Sequence, residues 1–217
     1  MSEPIPGVYA DRGVFVCFEG GEGAGKSTQS GLLRERLETA GHAVLLTFEP
    51  GDTAVGKDIR RIVLDPATGH LADRTEALLY AADKAEHVEK VVLPALRQGQ
   101  VVITDRYVDT SLAYQGAARG LPISELEQVL RWATGGLRPH LTVVLDVDPV
   151  AGLGRFEGRD RIEAESVEFH QRARAGFLDL AAAAPDHYLV LDARAPVDEI
   201  AEAVHARLLP VLGELAR

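Results

Sequence analysis

Short apolar runs alternate along this chain with stretches of helical periodicity. The runs occupy residues 14–18, 43–48, 101–104, 141–145 and 188–191. Strands separated by helix-length segments usually pair in parallel. The alternation therefore predicts the α/β class, with a parallel sheet wrapped by helices.

Two helices are predicted with defined positions. Residues 75–96 are rich in Ala, Leu, Glu and Lys and precede Gly99, which predicts a long helix before the third strand. After Pro196, apolar residues spaced three or four apart predict one buried stripe on a terminal helix, formed by Val197, Ile200, Val204, Leu208 and Val211 or Leu212.

The length of 217 residues suits one sizeable domain, which we assign to residues 13–217. Residues 1–12 are polar with two prolines, which predicts a loose tail. This segment lacks the apolar core of a secretory signal, and no apolar run approaches membrane-spanning length. We therefore expect a cytoplasmic protein that has no membrane partner.

The net charge of −10 argues against a general nucleic-acid binder and favours small phosphorylated partners. The single cysteine, Cys17, lies in the first predicted strand and is expected to be a buried core residue. The seven histidines show no metal-ligand spacing, so the only metal we infer is the Mg²⁺ that accompanies a nucleotide.

The segment Gly20-Gly-Glu-Gly-Ala-Gly-Lys-Ser27 fits the pattern G-x-x-x-x-G-K-[ST] between a strand and a helix. Its backbone N–H groups and the helix N-terminus favour phosphate, Lys26 adds charge near the β and γ phosphates, and the Ser27 hydroxyl suits Mg²⁺. The ATP-binding residues predicted here are Gly20, Gly21, Glu22, Gly23, Ala24, Gly25, Lys26, Ser27 and Thr28.

Acids and an arginine follow the ends of several predicted strands, at Glu19, Glu49, Asp105, Arg106 and Asp146. Open α/β sheets bind ligands at this edge. Asp105 matches the strand-end carboxylate that holds Mg²⁺, and Arg106 beside it suits a transferring phosphate. An ordinary structural ion pair is the alternative.

Two further segments are candidates for recognition of a base and a sugar. Residues 107–115 offer Tyr107, Thr110, Ser111, Tyr114 and Gln115, while Tyr80 and Lys84 share a helix face. A core or surface helix is the alternative in both cases.

Positive charge is concentrated at Arg60-Arg61 and between Arg155 and Arg161. A solvated charged face is the alternative for each cluster. The glycine-rich stretch 152–160 follows the fourth predicted strand and suggests a mobile lid, with an inert connector as the alternative.

Together these segments resemble the thymidylate kinase family, in the bacterial form with Glu in the phosphate loop. The matching blocks are residues 18–28, 49–51, 105–116 and 160–166, in family order. The block from Asp105-Arg106-Tyr107 to Tyr114-Gln115-Gly116 is the most diagnostic. The resemblance implies a five-stranded P-loop NTPase-type three-layer sandwich, a homodimer, and transfer of the γ-phosphate of Mg-ATP to dTMP.

The resemblance also implies roles for individual residues. Lys26 and Ser27 hold ATP and Mg²⁺, Asp105 is the magnesium-side carboxylate, and Glu22 faces the 3′-hydroxyl. Arg60 and Arg106 bind the acceptor phosphate near Glu49. Tyr80 stacks on thymine, Lys84, Ser111 and Gln115 contact its polar edge, and Tyr114 crowds the sugar 2′ position. Arg155 is the lid arginine, with Glu163 and Glu165 closing a lid at about 152–166.

The chain departs from the family pattern in three places. Lys84 replaces the usual Arg and cannot offer a planar two-donor fork. Phe48 and Asp52 remove one cation and add one negative charge, and the lid is shorter, so Arg159 is the alternative to Arg155. A kinase for another pyrimidine monophosphate and a non-catalytic nucleotide-binding module remain open as alternative functions.

Overall fold

The computed structural model describes residues 7–155 and 160–215. Its five strands are β1 (Val14–Gly20), β2 (Val44–Phe48), β3 (Val101–Asp105), β4 (Leu141–Asp146) and β5 (Tyr188–Asp192). They form one parallel sheet in the order β2-β3-β1-β4-β5, with Val16 opposite Ile103 in β3 and Leu141 in β4. The predicted five-stranded parallel sheet is confirmed.

Helices connect the strands, as the alternation predicts. They are α1 (Lys26–Thr39), α2 (Ala54–Leu64), α3 (Asp73–His87), α4 (Leu93–Arg97), α5 (Val108–Ser111), α6 (Ile123–Ala133), α7 (Pro149–Leu153), α8 (Val167–Ala183) and α9 (Val197–Leu215). Shorter turns are a 3₁₀ turn at Pro66–Thr68 and π-helical turns at Val88–Val92 and Leu112–Ala118.

Each face of the sheet is covered by its own helices, because successive side chains of a strand point to opposite faces. From β1, Val14, Val16 and Phe18 pack with residues of α1 and α9. Phe15 and Cys17 pack on the other side with residues of α3, α4 and α6. Cys17 is buried as predicted, and the result is the three-layer sandwich of a P-loop NTPase.

The long helix predicted over 75–96 is confirmed, but a π-helical turn interrupts it between α3 and α4. Pro94 explains the interruption because it has no N–H to donate to the preceding turn. The terminal stripe is also confirmed at Ile200, Val204 and Leu208, whereas Val197 is half exposed at the helix start.

The N-terminal segment differs from the predicted loose tail where the structure describes it. Val8 forms a parallel bridge with Leu137: its N–H donates to Gly136 at 2.8 Å and its carbonyl accepts from Arg138 at 2.8 Å. These two backbone bonds fix residues beyond Gly7 to the loop before β4. Residues 1–6 lie outside the described part of the chain.

Candidate functional site

The loop between β1 and α1 wraps a cavity at the carboxyl edge of the sheet. Gly20, Gly23 and Gly25 have φ values of 133°, 69° and 90°. Residues with a Cβ atom rarely adopt such positive φ angles. We call this space the loop cavity; its lining residues are Glu22, Gly23, Ala24, Gly25, Lys26, Ser27, Thr28, Asp105, Arg106 and Arg155.

Lys26 and Ser27 begin α1 and turn toward the cavity. The Lys26 ammonium donates to the carbonyls of Gly20 at 3.1 Å and Gly21 at 2.8 Å, so the loop itself holds it. Burial and the nearby Arg106 lower the pKa of Lys26. The Ser27 hydroxyl donates to Asp105 at the end of β3 over 2.7 Å. The structure thus brings together the side chains that the motif and the strand-end acid predicted.

Arg155 comes from outside this loop but contacts it: its Nη1 donates to the carbonyl of Gly23 at 2.6 Å. Arg159, the alternative lid arginine, lies outside the described residues. Part of the predicted lid differs from the expectation: Gly152 belongs to α7 and packs directly against the carbonyl of Glu22. A side chain at Gly152 would clash with that backbone, so the close packing of α7 on the loop requires glycine at this position.

Arg106 occupies a strained backbone position beside the loop. Its φ is 73°, and it is the single non-glycine with positive φ among the described residues. Its N–H donates to Phe18 and its carbonyl accepts from Thr104, both at 2.9 Å, so the strand ends hold this conformation. The strained backbone turns the guanidinium toward Glu22, with Nη2 2.5 Å from Oε1.

Glu22 and Arg106 form an ion pair in which the carboxylate is stabilised in its charged form. Burial raises the pKa of Glu22, but Arg106 and Lys26 outweigh burial and bring it to about 2. Tyr114 donates its hydroxyl to Glu22 at 3.2 Å, and the Arg106 guanidinium lies 5.7 Å from the Tyr114 ring centre. The pair is therefore ionised at neutral pH.

A second cavity adjoins the first. We call it the inner cavity; its lining residues are Glu22, Glu49, Pro50, Arg60, Leu64, Tyr80, Lys84, Arg106, Thr110, Tyr114, Gln115, Asp160, Ile162 and Glu163. Most of the predicted acceptor-binding residues occur in this set. Arg60 of α2 donates to the carbonyl of Pro50 at 2.8 Å and lies over the Phe48 ring.

Lys84 forms a buried ion pair that the sequence did not predict. Its Nζ lies 3.0 Å from Oε2 of Glu49, whose other oxygen is 2.7 Å from Nδ1 of His87. Burial raises the pKa of Glu49, but Lys84 and His87 outweigh it and lower the pKa below its usual value. The Lys84 ammonium is also 5.9 Å from the ring centre of Tyr80, which confirms that these two share a helix face.

The same buried cluster continues away from the cavity. Nε2 of His87 is 2.6 Å from the Thr47 hydroxyl, which donates to Asp52 at 2.5 Å. A chain of hydrogen bonds through Thr47 and His87 thus joins the side chain of Asp52, one of the departures from the family pattern, to that of Glu49.

Several predicted site residues lie elsewhere. Tyr107 is a core residue: it packs edge-on against Phe15 and donates its hydroxyl to the carbonyl of Leu137. Ser111 is fully buried and absent from the described lining of both cavities. Glu165 pairs with Arg119 at 2.6 Å and does not line the inner cavity, whereas Glu163 does.

Glu19 lies near the carboxyl end of β1, as predicted, but its side chain is buried and lines neither cavity. Its carboxylate accepts from the N–H groups of Tyr107 and Thr110 and from the Thr110 hydroxyl. Burial and the nearby Asp109 raise its pKa to about 7. These bonds fix the backbone directly after Arg106.

A set of buried polar residues on α3 was not predicted from the sequence. Glu76, Asp83 and His87 are buried on the same side of this helix as Tyr80 and Lys84. Their spacing of three or four residues was a signal, but polar residues at that spacing usually form a solvated face. Only the structure shows that this face points inward.

Within residues 7–155 and 160–215, no cluster of three or more His, Cys, Asp or Glu side chains has metal-site geometry. No helix in that same part of the chain is both long and apolar enough to cross a membrane.

Comparisons with known proteins agree with the geometry. The family model described as thymidylate kinase matches residues 18–204. The thymidylate kinase of Cutibacterium acnes (strain DSM 16379 / KPA171202) is 56% identical over 200 residues, covering 92% of this chain and 98% of the relative. Those of Clavibacter sepedonicus and of Deinococcus radiodurans are 54% and 52% identical; they cover 90% and 87% of this chain, and 94% and 93% of their own. The chain therefore belongs to the thymidylate kinase family.

Proposed function

We propose that this chain transfers the γ-phosphate of ATP to dTMP, giving ADP and dTDP. The observation that carries the proposal is that the loop cavity and the inner cavity share two lining residues, Glu22 and Arg106. A triphosphate on the loop and a monophosphate in the inner cavity would bring their phosphates to one guanidinium. Such positioning supplies much of the rate enhancement in phosphoryl transfer.

The loop cavity is the ATP site in this proposal. The backbone of residues 20–28 and the N-terminus of α1 bind the phosphates, and Lys26 is already held on the loop beside them. Arg155 lies on the same loop and would steady the transferring phosphate from the lid side.

Ser27 and Asp105 fit Mg²⁺. Both offer oxygen atoms as metal ligands, the Ser27 Oγ lies 2.7 Å from Oδ2 of Asp105, and both residues line the loop cavity. Mg²⁺ prefers such ligands and completes its shell with phosphate oxygens and water. When bound, the ion neutralises negative charge on the β and γ phosphates.

The inner cavity is the dTMP site. Arg60 and Arg106 would bind the acceptor phosphate, with Glu49 anchoring the wall behind them. Tyr80 would stack on thymine, and Lys84 and Gln115 would contact its polar edge. Glu22 would face the 3′-hydroxyl, and Tyr114 would crowd the 2′ position. Ser111 would act from behind the wall, since its buried hydroxyl has no partner among the described residues.

The reaction needs no covalent intermediate. An oxygen of the dTMP phosphate attacks the γ-phosphorus of ATP, and the bond from that phosphorus to the β–γ bridging oxygen breaks. Lys26, Arg106 and Arg155 offset the charge that spreads over the transferring oxygens. The work of the protein is to align the two nucleotides and exclude water.

The lid and the homodimer are further parts of the proposal. A lid at about 152–166 is supported by Arg155 on the loop and by Asp160 and Glu163 at the inner cavity. A homodimer is supported by an apolar groove with Leu78, Leu121, Pro122 and Val129, in which Leu78 is 58% exposed. Sedimentation equilibrium tests the homodimer by giving the mass in solution.

A coupled ADP-release assay with Mg-ATP tests the proposed function. The acceptors are dTMP, dUMP, dCMP and dGMP, and EDTA controls for the metal. We expect strong turnover with dTMP that EDTA abolishes. Preference for another pyrimidine monophosphate would replace the acceptor, and no turnover with any acceptor would favour a non-catalytic nucleotide-binding module.

A further inference from the structure

Glu76 of α3 is a fully buried carboxylate that touches no reacting group. Its Oε1 accepts from Nε2 of Gln115 at 2.9 Å and from Nε of Arg119 at 3.2 Å. Its Oε2 accepts from Nη2 of Arg119 at 3.1 Å and from Nη2 of Arg161 at 2.5 Å. A carboxylate offers about four acceptor positions, so donors fill all of them.

Glu76 is held in its ionised form. Burial raises its pKa, but the hydrogen bonds from Arg119, Gln115 and Arg161 outweigh burial and lower the pKa below its usual value. An ionised carboxylate can only accept hydrogen bonds. The amide of Gln115 must therefore turn its NH₂ group toward Glu76.

This orientation decides which atom Gln115 offers to a ligand. Gln115 lines the inner cavity, and its Oε1 is buried without a hydrogen-bond partner among the described residues. Because one N–H of its NH₂ group donates to Glu76, the carbonyl oxygen takes the other side of the amide and is the acceptor that this side chain offers to a ligand. A buried acceptor without a partner is costly unless a ligand donates to it.

Lys84 supplies the complementary group. Its ammonium has only donors, and the ion pair with Glu49 holds it at the wall of the same cavity. The cavity therefore offers one fixed acceptor and one fixed donor. Thymine presents the matching pair, N3–H and the O4 carbonyl. Cytosine presents the reverse pair, an N3 acceptor and an N4 amino donor.

We propose that Glu76 is a positioning residue that sets base specificity. By holding the Gln115 amide in one orientation, it makes the inner cavity accept a thymine-type base and reject cytosine. The inference rests on the proposed function, because it assumes that the base of the acceptor lies in this cavity.

Two arginines keep Glu76 in place. Arg161 also donates to the carbonyl of Val63 at 2.8 Å, and Arg119 lies over the ring of Phe169 at 4.6 Å. The carboxylate is thus fixed from α2 on one side and from α8 on the other. The two arginines donate hydrogen bonds to Glu76 and to Val63, and none to Gln115 among the described residues, so each provides a control that separates stability from specificity.

The test compares kcat/KM for dTMP and dCMP in the wild type, Glu76→Gln, Gln115→Leu and the double variant. A glutamine at 76 can rotate its amide and so permits Gln115 to flip. We expect Glu76→Gln to lower the dTMP/dCMP ratio about 10- to 100-fold, the effect of one mismatched buried hydrogen bond. The double variant should match Gln115→Leu, because Glu76 acts through Gln115.

Arg119→Met is the matched control. It removes one partner of Glu76 but keeps the bond to Gln115, so we expect a lower melting temperature with an unchanged dTMP/dCMP ratio. A folded Glu76→Gln variant with the wild-type ratio would overturn the inference while leaving dTMP kinase activity intact. Absence of dTMP turnover in the wild type would instead overturn the proposed function.

If Glu76→Gln does not fold, NMR of the wild type with dTMP replaces it. The side-chain amide protons of Gln115, assigned by their loss in Gln115→Leu, should lie close to the Arg119 guanidinium protons and exchange slowly. Amide protons of Gln115 closer to the thymine ring than to Arg119 would contradict the inference.

Discussion

The loop cavity and the inner cavity meet at Arg106, yet they are built differently. The loop cavity comes mainly from residues 20–28 and 105–106, and its lysine is held by backbone carbonyls. The inner cavity draws on α2, α3, the turn at 112–118 and residues 160–163. Its wall contains the buried ion pair of Glu49 with Lys84, and Gln115 in that wall is bonded to Glu76, which pairs with Arg161 behind it.

The difference separates two tasks. Phosphates are common to all nucleotides, so a short loop of backbone N–H groups suffices to bind them. One base is distinguished from another by its pattern of hydrogen-bond donors and acceptors. To recognise that pattern, the side chains of the site must be held so that they cannot rotate. Substitutions at the loop cavity should therefore reduce turnover with little loss of stability, whereas substitutions at the inner cavity should reduce both stability and acceptor affinity.

The largest effect is expected at the loop cavity. Lys26→Ala should lower kcat about 100- to 1,000-fold, because it removes a buried cation aimed at the transferring charge. Its unfolding midpoint in urea should stay close to that of the wild type. The control is Lys90→Ala, at an exposed lysine of the same chain. Turnover of Lys26→Ala near the wild-type rate would contradict the role of the loop.

A substitution at the inner cavity should lower the stability of the protein. Glu49→Ala should lower the free energy of unfolding by about 3–5 kcal/mol, because Lys84 and His87 both lose a buried partner. Urea unfolding at neutral pH measures this loss of unfolding free energy. Asp192→Ala, which breaks the exposed pair with Arg194, should leave stability unchanged. A stability of Glu49→Ala equal to that of the wild type would show that the two cavities do not differ in this way.

A smaller effect is expected from Asp83, whose carboxylate accepts from the N–H of Gly51 at 3.1 Å. Burial and the nearby Glu49 raise its pKa to about 6. Between its ordinary pKa near 4 and this value, the folded state binds more protons than the unfolded state, so stability falls as pH rises.

Asp83→Asn removes this titration and keeps the acceptor for Gly51. Between pH 4 and pH 7 the wild type should lose about 1–3 kcal/mol of unfolding free energy relative to Asp83→Asn. Parallel urea titrations at several pH values measure the difference. Parallel stability curves for the two proteins would mean that the carboxylate titrates normally.

The same contrast explains what the sequence could predict. The strands, the order of helices and the loop cavity follow from local patterns: apolar runs, helical spacing and one contiguous motif. Lys26, Ser27 and Asp105 come together because the carboxyl ends of neighbouring parallel strands share one edge.

The inner cavity depends on contacts between distant segments. Nothing local shows that Tyr107 turns into the core while Tyr114 lines the cavity, although both lie in the same block. Glu76 and His87 have spacings typical of a solvated helix face, and only packing against other helices buries them. The bridge of Val8 to Leu137 likewise depends on a backbone pairing across more than a hundred residues.

The most direct test of the account follows the transferred phosphate itself. ATP labelled at the γ-phosphate is incubated with the protein, Mg²⁺ and dTMP, and the nucleotides are then separated. We predict that the label appears in the β-phosphate of dTDP in step with ADP formation, and that Arg106→Ala, at the wall shared by the two cavities, suppresses it. Label recovered as inorganic phosphate or left in ATP would contradict the claim that the two cavities bring donor and acceptor phosphates together.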